Sequence, residues 1–394
     1  MPLVVPLAEC RARPDQTATR WPLVEHLTEV ASHCGSATGS REERLAFLAG
    51  LLHDAGKCQA AWQSYARAQT GKGPPHAPLS AALFAWLAEA LIATWELEPG
   101  SKQELRRLCL DWTRLIYCHH DALDDLDLRP PWEKSWAPAE LAAMWATCDV
   151  IGLVQLVRSH FPELTVQIGP FPDWLAEYGD VWERRVRFIS SVPPSGATAL
   201  GDNGAAPAPH PGLRLAHLSG QLISADRYHA GQFQLVTLRP SEARAALAHL
   251  HAFCQARAEE RLAAGASPQL VAARAALQQQ AVERYHRTAE SAFFSLTLPT
   301  GYGKTLTSVR VALEAVADGR CSRLIFVAPY LSILSQAADE VYRATKLPVL
   351  QHHSLSLLEH GDDDDVEALD SWQASVILTT FNQLFRVLFP RRAQ

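Results

Sequence analysis

Apolar residues recur at helical spacing through the first 160 positions of this 394-residue chain. The stretch from 21 to 95 holds three such segments. One opens at His26-Leu27-Thr28-Glu29-Val30, a second covers 41–52 and is strongly apolar, and a third covers 78–95 with Leu79, Leu83, Trp86, Leu87, Ala90 and Leu91 on one face. A Gly/Pro cluster over 69–76 separates the last two and delivers His76 to a helix start. A further helix is expected over 102–118, with Leu105, Leu108, Trp112, Leu115 and Ile116 inward and His119-His120 at its end. The acidic, Pro-rich 121–138 reads as a loop, and 139–160 as helix again. The stretch 191–212, rich in Pro, Gly and Ala, has little to bury and reads as a flexible insertion. Helix resumes at 213 and leads into Ser224-Ala225-Asp226.

The pattern changes after a long Ala/Gln/Glu/Arg-rich helical stretch, 240–286. Short apolar runs at 291–298, 323–328, 348–350 and 375–379 alternate with helical segments, the arrangement of a parallel α/β sheet. The acidic run at 361–365 reads as a solvated loop. The expected fold class is therefore multidomain: an all-α domain over 1–235, a helical connector over 236–286, and an α/β domain over 287–394.

Composition narrows this little. Apolar residues at 48% and charged residues at 20% fit a globular protein, and a net charge of −6 gives no global attraction to nucleic acid. The eight cysteines form no Cys-x-x-Cys pair, so neither a zinc knuckle nor a disulfide framework is indicated. No apolar run reaches the roughly 18 residues needed to span a bilayer, and the N-terminus does not read as a signal peptide. The expectation is a reduced, cytoplasmic protein with no membrane partner.

Two stretches carry chemistry. Pro299-Thr300-Gly301-Tyr302-Gly303-Lys304-Thr305 follows an apolar run and opens a helix, the context of a phosphate-binding loop. Glycines let backbone N–H groups curl around phosphate oxygens, Lys304 reaches the β/γ-phosphates, and Thr305 can ligate Mg²⁺. Leu298 stands where the longer form of the motif has a small residue, so the loop is of the shortened, helicase type. The second stretch is Leu51-Leu52-His53-Asp54-Ala55-Gly56-Lys57. His53 and Asp54 end one apolar helix, while His76 and His119-His120 stand at the ends of others. With His26 and a further carboxylate they could hold two divalent metals bridged by a carboxylate. For that last carboxylate Asp226 is preferred to Asp149, which could instead make a structural hydrogen bond in a helix.

In this order, the His, His-Asp, His, His-His and Ser-Ala-Asp elements resemble the HD superfamily of metal-dependent phosphohydrolases. Followed by Phe294-Ser295-Leu296-Thr297-Leu298 and the phosphate loop, they resemble the CRISPR-associated helicase–nuclease of type I interference systems. Phe326-Val327-Ala328-Pro329-Tyr330, Val349-Leu350-Gln351-His352-His353-Ser354 and Ile377-Leu378-Thr379-Thr380-Phe381-Asn382-Gln383 match that family's later motifs. The resemblance implies His53 and Asp54 as core ligands with Asp54 bridging, His26 and Asp226 completing one metal site, and His76, His119 and His120 the other. Lys57 would sit near the scissile phosphate. The metals would be two of Mn, Fe, Co, Ni or Zn, with ATP and Mg at Thr300, Gly301, Tyr302, Gly303, Lys304 and Thr305. The implied activities are cleavage of single-stranded DNA by the first domain and ATP-driven translocation by RecA-like domains, of which only the first part is present here, with recruitment by a crRNA-guided, Cascade-type surveillance complex. No Asp-Glu pair follows Thr380, so a truncated helicase core that binds nucleotide weakly without hydrolysing it is expected. The competing expectations are a nucleotide-directed HD phosphohydrolase and a non-catalytic docking module.

Overall fold

A computed structural model describes residues 4–14, 21–68, 73–120, 126–164, 171–191, 211–231, 236–288, 291, 293–353 and 372–388. The chain divides into two compact units, the first ending at Gln232 and the second running from Phe233 to Leu388.

The first unit is helical. Helices α1 (Leu23–Cys34), α2 (Arg41–Leu52), α3 (Ala60–Ala68), α4 (Ala77–Ala93), α5 (Pro99–Cys118), α6 (Pro138–Trp145), α7 (Val150–His160), α8 (Phe171–Ser191) and α9 (Pro211–Gly231) make up its regular structure. Local chemistry sets their starts. Ser40 caps α2 through the Glu43 N–H at 3.2 Å, while the Glu43 carboxylate accepts from the Ser40 N–H at 2.7 Å. Helix α4 has almost no polar face: residues 78–88 are all buried, as befits a helix in the middle of a core rather than on its surface. Gly50 lets α1 and α2 close up, since a Cβ there would lie 2.7 Å from the Ala31 Cα.

Two readings change here. The helix expected over 139–160 is two helices, α6 and α7, because Asp149 caps the second by accepting from the Gly152 N–H at 3.0 Å. Asp149 also accepts from the Leu7 N–H at 2.8 Å, so both its oxygens have structural partners. Within the expected loop 121–138, Pro131–Lys134 forms a 3-10 turn anchored by the fully buried Trp132; residues 121–125 lie outside the described residues. So do 192–210 of the expected insertion, 69–72 of the Gly/Pro cluster, and the acidic run 361–365.

The second unit is α/β. Its elements are α10 (Pro240–Ala263), α11 (Pro268–Arg287), α12 (Lys304–Ala317), β1 (Leu324–Ala328), α13 (Leu331–Thr345), β2 (Leu350–His352), β3 (Val376–Thr380) and α14 (Phe381–Leu388). The strands pair in parallel in the order β1-β3-β2, with Phe326 and Gln351 both opposite Leu378. The helical stretch 236–286 is part of this unit: Ala243, Ala246 and Leu250 of α10 share a core with Leu306 and Leu313 of α12, Leu334 of α13 and Val376 of β3. The strand expected over 291–298 does not form. The described residues there have no regular secondary structure and pair with no strand, and Phe293 is 93% exposed. An apolar run has the composition of a strand, but a strand needs a neighbour's backbone to bond.

Candidate metal centre

The end of α2 and the turn after it build the centre's floor. Beyond Leu52 the chain stays helical for His53, leaves the helix at Asp54 (φ −116°, ψ 10°), and makes the 3-10 turn Ala55–Cys58. Gly56 is required there, since a Cβ would come within 2.2 Å of the His76 carbonyl oxygen. That close approach, with the Gly56 N–H donating to Ser80 Oγ at 2.9 Å, docks the turn on the start of α4 and brings in His76. Helix α5 delivers His119 and His120 at its end, α1 contributes His26, and α9 contributes Asp226.

Asp54 sits at the middle with no exposure. Its Oδ1 lies 2.9 Å from His76 Nε2 and 3.3 Å from His119 Nε2. Its Oδ2 lies 3.2 Å from His26 Nε2 and 3.4 Å from His53 Nε2. Asp226 Oδ1 closes the second side, 3.3 Å from His26 Nε2 and 3.5 Å from His53 Nε2. His120 Nε2 lies 3.1 Å from His76 Nε2 and completes the first side. Two donor sets thus share one carboxylate: Asp54, His76, His119 and His120, and Asp54, His26, His53 and Asp226, each with its donor atoms within 4.8 Å of one another. All seven sequence-selected ligand candidates come together here, with Lys57 Nζ 2.5 Å from Asp54 Oδ2. Asp149, spent on its helix cap, does not join them.

Hydrogen bonds behind the rings aim them. His53 Nδ1 lies 2.8 Å from the Gly50 carbonyl and His119 Nδ1 2.6 Å from the Ile116 carbonyl. A carbonyl only accepts, so each Nδ1 carries the hydrogen and each Nε2 turns a lone pair inward when the ring is neutral. His53 Nε2, Asp54 Oδ1 and His119 Nε2 are buried and lack a hydrogen-bond partner of good geometry. Buried polar atoms left this way are costly, and a divalent cation among them removes the cost. The donor set, imidazole nitrogen and carboxylate oxygen without thiolate, suits borderline divalent metals.

Electrostatics divide the rings. Burial disfavours a charged His53, but Asp54 and Asp226 outweigh it and raise its pKa to about 10. Burial wins at His76, which is lowered, and at His120, where the neighbouring His119 adds to it and the value falls to about 3. Burial also opposes ionisation of Asp54, yet Lys57 and the surrounding histidines hold it well below the usual carboxylate range. Asp226 is held there against burial by His26 and His53.

Sequence reading missed the side chains that brace this centre. Gln63 is fully buried and donates to the carbonyls of Lys57 (2.8 Å) and Arg11 (3.0 Å), while its Oε1 accepts from the Arg11 N–H at 2.9 Å. Trp62, 4% exposed, lies with its ring centroid 5.3 Å from Lys57 Nζ. Nothing in periodicity singles out either residue.

In the second unit, Gly301 and Gly303 adopt left-handed φ values of +83° and +82°, a conformation glycine reaches without strain. They turn the chain into α12, which begins at Lys304 with Gly303 as its cap. The Tyr302 N–H donates to the Pro299 carbonyl at 3.3 Å, and Thr307 Oγ1 to the Gly303 carbonyl at 2.9 Å. Thr300 to Thr305 thus form a tight loop at a helix N-terminus, a backbone arrangement that favours phosphate.

Fold and loop define a chain with a helical, His/Asp-centred unit followed by an α/β unit that carries a phosphate-type loop at a helix start. Residues 271–391 match the family described as type III restriction enzyme, res subunit. The chain is also 34% identical over 120 residues to the CRISPR-associated nuclease/helicase Cas3 of Haloferax volcanii, a match covering 24% of this chain and 13% of that protein. The second unit is therefore similar to a ResIII-type helicase domain, and part of the chain is similar to Cas3, of whose length the match spans about an eighth. Among the described residues no single helix is long and apolar enough to cross a membrane.

Proposed function

We propose that the first unit is an HD-type, metal-dependent nuclease that hydrolyses phosphodiester bonds of single-stranded DNA in CRISPR type I interference. The observation that carries this is Asp54, whose two oxygens face two different donor sets. His26, His53 and Asp226 would hold one divalent ion with Oδ2, and His76, His119 and His120 the other with Oδ1. Held there, two divalent ions would supply an activated water and charge stabilisation for an in-line displacement at phosphorus. Of the chain's own groups, Asp54 stays ionised under the field of Lys57, and the depressed basicity of His76 and His120 keeps their lone pairs open at neutral pH. Mn, Fe, Co, Ni and Zn all suit these donors.

The helicase-type unit supports a polynucleotide substrate, because a motor on the same chain would feed strand to the nuclease. Thr300, Gly301, Tyr302, Gly303, Lys304 and Thr305 would bind ATP with Mg²⁺. A Cascade-type complex that opens an R-loop would supply both the strand and the sequence specificity. Eight free cysteines support a reduced, cytoplasmic setting.

The test is cleavage of labelled single-stranded DNA by the purified chain reconstituted with Mn²⁺, Co²⁺ or Ni²⁺, without ATP. Cleavage is expected, and Asp54→Ala should abolish it. Equal cleavage by D54A sinks the assignment. Phosphate release from free nucleotides without strand cleavage would favour a nucleotide hydrolase, and fewer than about one metal per chain after reconstitution a docking module.

A further inference from the structure

Lys57 occupies a place that a role near the scissile phosphate does not by itself explain. Its ammonium lies 2.5 Å from Asp54 Oδ2, the same oxygen that faces His26 and His53. A divalent ion held by that donor set claims this oxygen. An ammonium at hydrogen-bond distance from the oxygen would then stand beside a doubly charged ion in a buried, weakly screened setting, where like charges repel strongly. A bound ion therefore weakens the hold of the ammonium on Oδ2 and works against that contact.

The backbone of Lys57 cannot move to resolve the conflict. Its N–H donates to the Asp54 carbonyl at 2.9 Å, and its carbonyl accepts from the fully buried Gln63 at 2.8 Å. The side chain is the free variable, and it has a second attractive surface in reach. The ring of Trp62 lies 5.3 Å from Nζ, within the range at which an indole face attracts an ammonium. Trp62 is itself fixed, buried to 4% exposure and edge-on to Tyr65 and His76 at 6.1 and 6.3 Å.

We propose that Lys57 is a resident counter-cation of the site formed by His26, His53, Asp54 and Asp226. Its ammonium neutralises Asp54 when the site is empty and yields Oδ2 to an incoming divalent ion, and Trp62 holds the displaced ammonium beside the centre. Trp62 is then a positioning residue acting through Lys57. The inference rests on the centre's being a metal site. It assigns Lys57 a cost to metal affinity, the reverse of what a residue that merely supports the site would show.

The experiment is a Co²⁺ titration of the full chain followed by visible absorbance, which reads the coordination sphere rather than turnover. Lys57→Met is expected to tighten Co²⁺ binding by about tenfold or more, because a nearby positive charge is removed. Trp62→Leu should weaken binding about threefold to tenfold when Lys57 is present, and Trp62→Phe should restore most of the loss. In the Lys57→Met background Trp62→Leu should have no effect, a coupling that a double-mutant cycle isolates. Equal or weaker binding by K57M overturns the counter-cation. An equal loss from W62L in both backgrounds makes Trp62 packing alone and overturns its part. K57Q and W62F carry the same comparisons should K57M or W62L not fold. Cobalt binding by the parent, lost in Asp54→Asn, upholds the metal reading whatever K57M does; no binding by the parent fails the metal reading itself.

Discussion

At the scale of single residues, proton competition at His53 is the most direct consequence of the centre's electrostatics. Its pKa in the metal-free fold is raised from 6.5 to about 10 by Asp54 and Asp226, against the opposing effect of burial. The stability this contributes is fully present below about 6.5 and is lost as pH rises through about 10. Ligation through Nε2 needs the neutral ring, so an entering metal must expel that proton. Metal affinity is therefore expected to rise with pH, by up to about tenfold per unit between 6.5 and 10. Calorimetric titration of Co²⁺ in buffers of different ionisation enthalpy measures both the slope and the protons released; a flat profile with no release contradicts this account. The two candidate carboxylates separate just as cleanly. Asp226→Ala should remove one metal per chain. Asp149→Ala should keep both and cost about 1–2 kcal/mol of stability, because Asp149 caps α7 and tethers the Leu7 N–H. Metal analysis beside a denaturant melt tells the two outcomes apart.

At the scale of elements, the centre depends on how the 55–58 turn sits against α4. Gly56→Ala forces a Cβ into the His76 carbonyl, backbone against backbone, so neither side yields cheaply. The expected cost is about 1–3 kcal/mol. Because His76 starts α4, metal stoichiometry or affinity at the Asp54/His76/His119/His120 set should fall with it. Gln63→Ala should cost a comparable ~1–3 kcal/mol, since it strands the carbonyls of Lys57 and Arg11 that its amide satisfies. A thermal melt with cobalt titration checks both variants. If Gly56→Ala melts like the parent with unchanged affinity, the close approach is not what sets His76. The start of α12 at Gly303-Lys304 was legible from the phosphate-loop motif, and the start of α2 from its apolar pattern, with the Ser40–Glu43 capping box giving the physical reason in the structure. Asp149 carries the same kind of signal, but the apolar pattern on either side of it reads as one continuous helix.

At the scale of the whole molecule, each unit buries its own core, so each should have its own stability and its own ligand. A ligand that binds only the folded state stabilises by about 2.7 kcal/mol at a hundredfold excess over its Kd. Saturating Mn²⁺ should slow amide exchange in α1, α2 and α5, and ADP with Mg²⁺ should slow it around Thr300–Thr305 and α12. Hydrogen-exchange mass spectrometry reads both, and metal-dependent protection confined to the second unit would place the metal elsewhere. What the sequence alone determined was identity and order: which side chains can ligate metal or hold phosphate, and that the chain passes from helical to α/β. Those are properties of residue type and local spacing. Tertiary structure decided everything that depends on a partner distant along the chain. Residues 293–298 pair with no neighbouring backbone among the described residues, so their apolar composition misled. His26, Asp54 and Asp226 are joined only because α1, α2 and α9 pack together, and it is that packing, with both oxygens of one buried carboxylate shared between two sets of rings, that turns scattered histidines into a site.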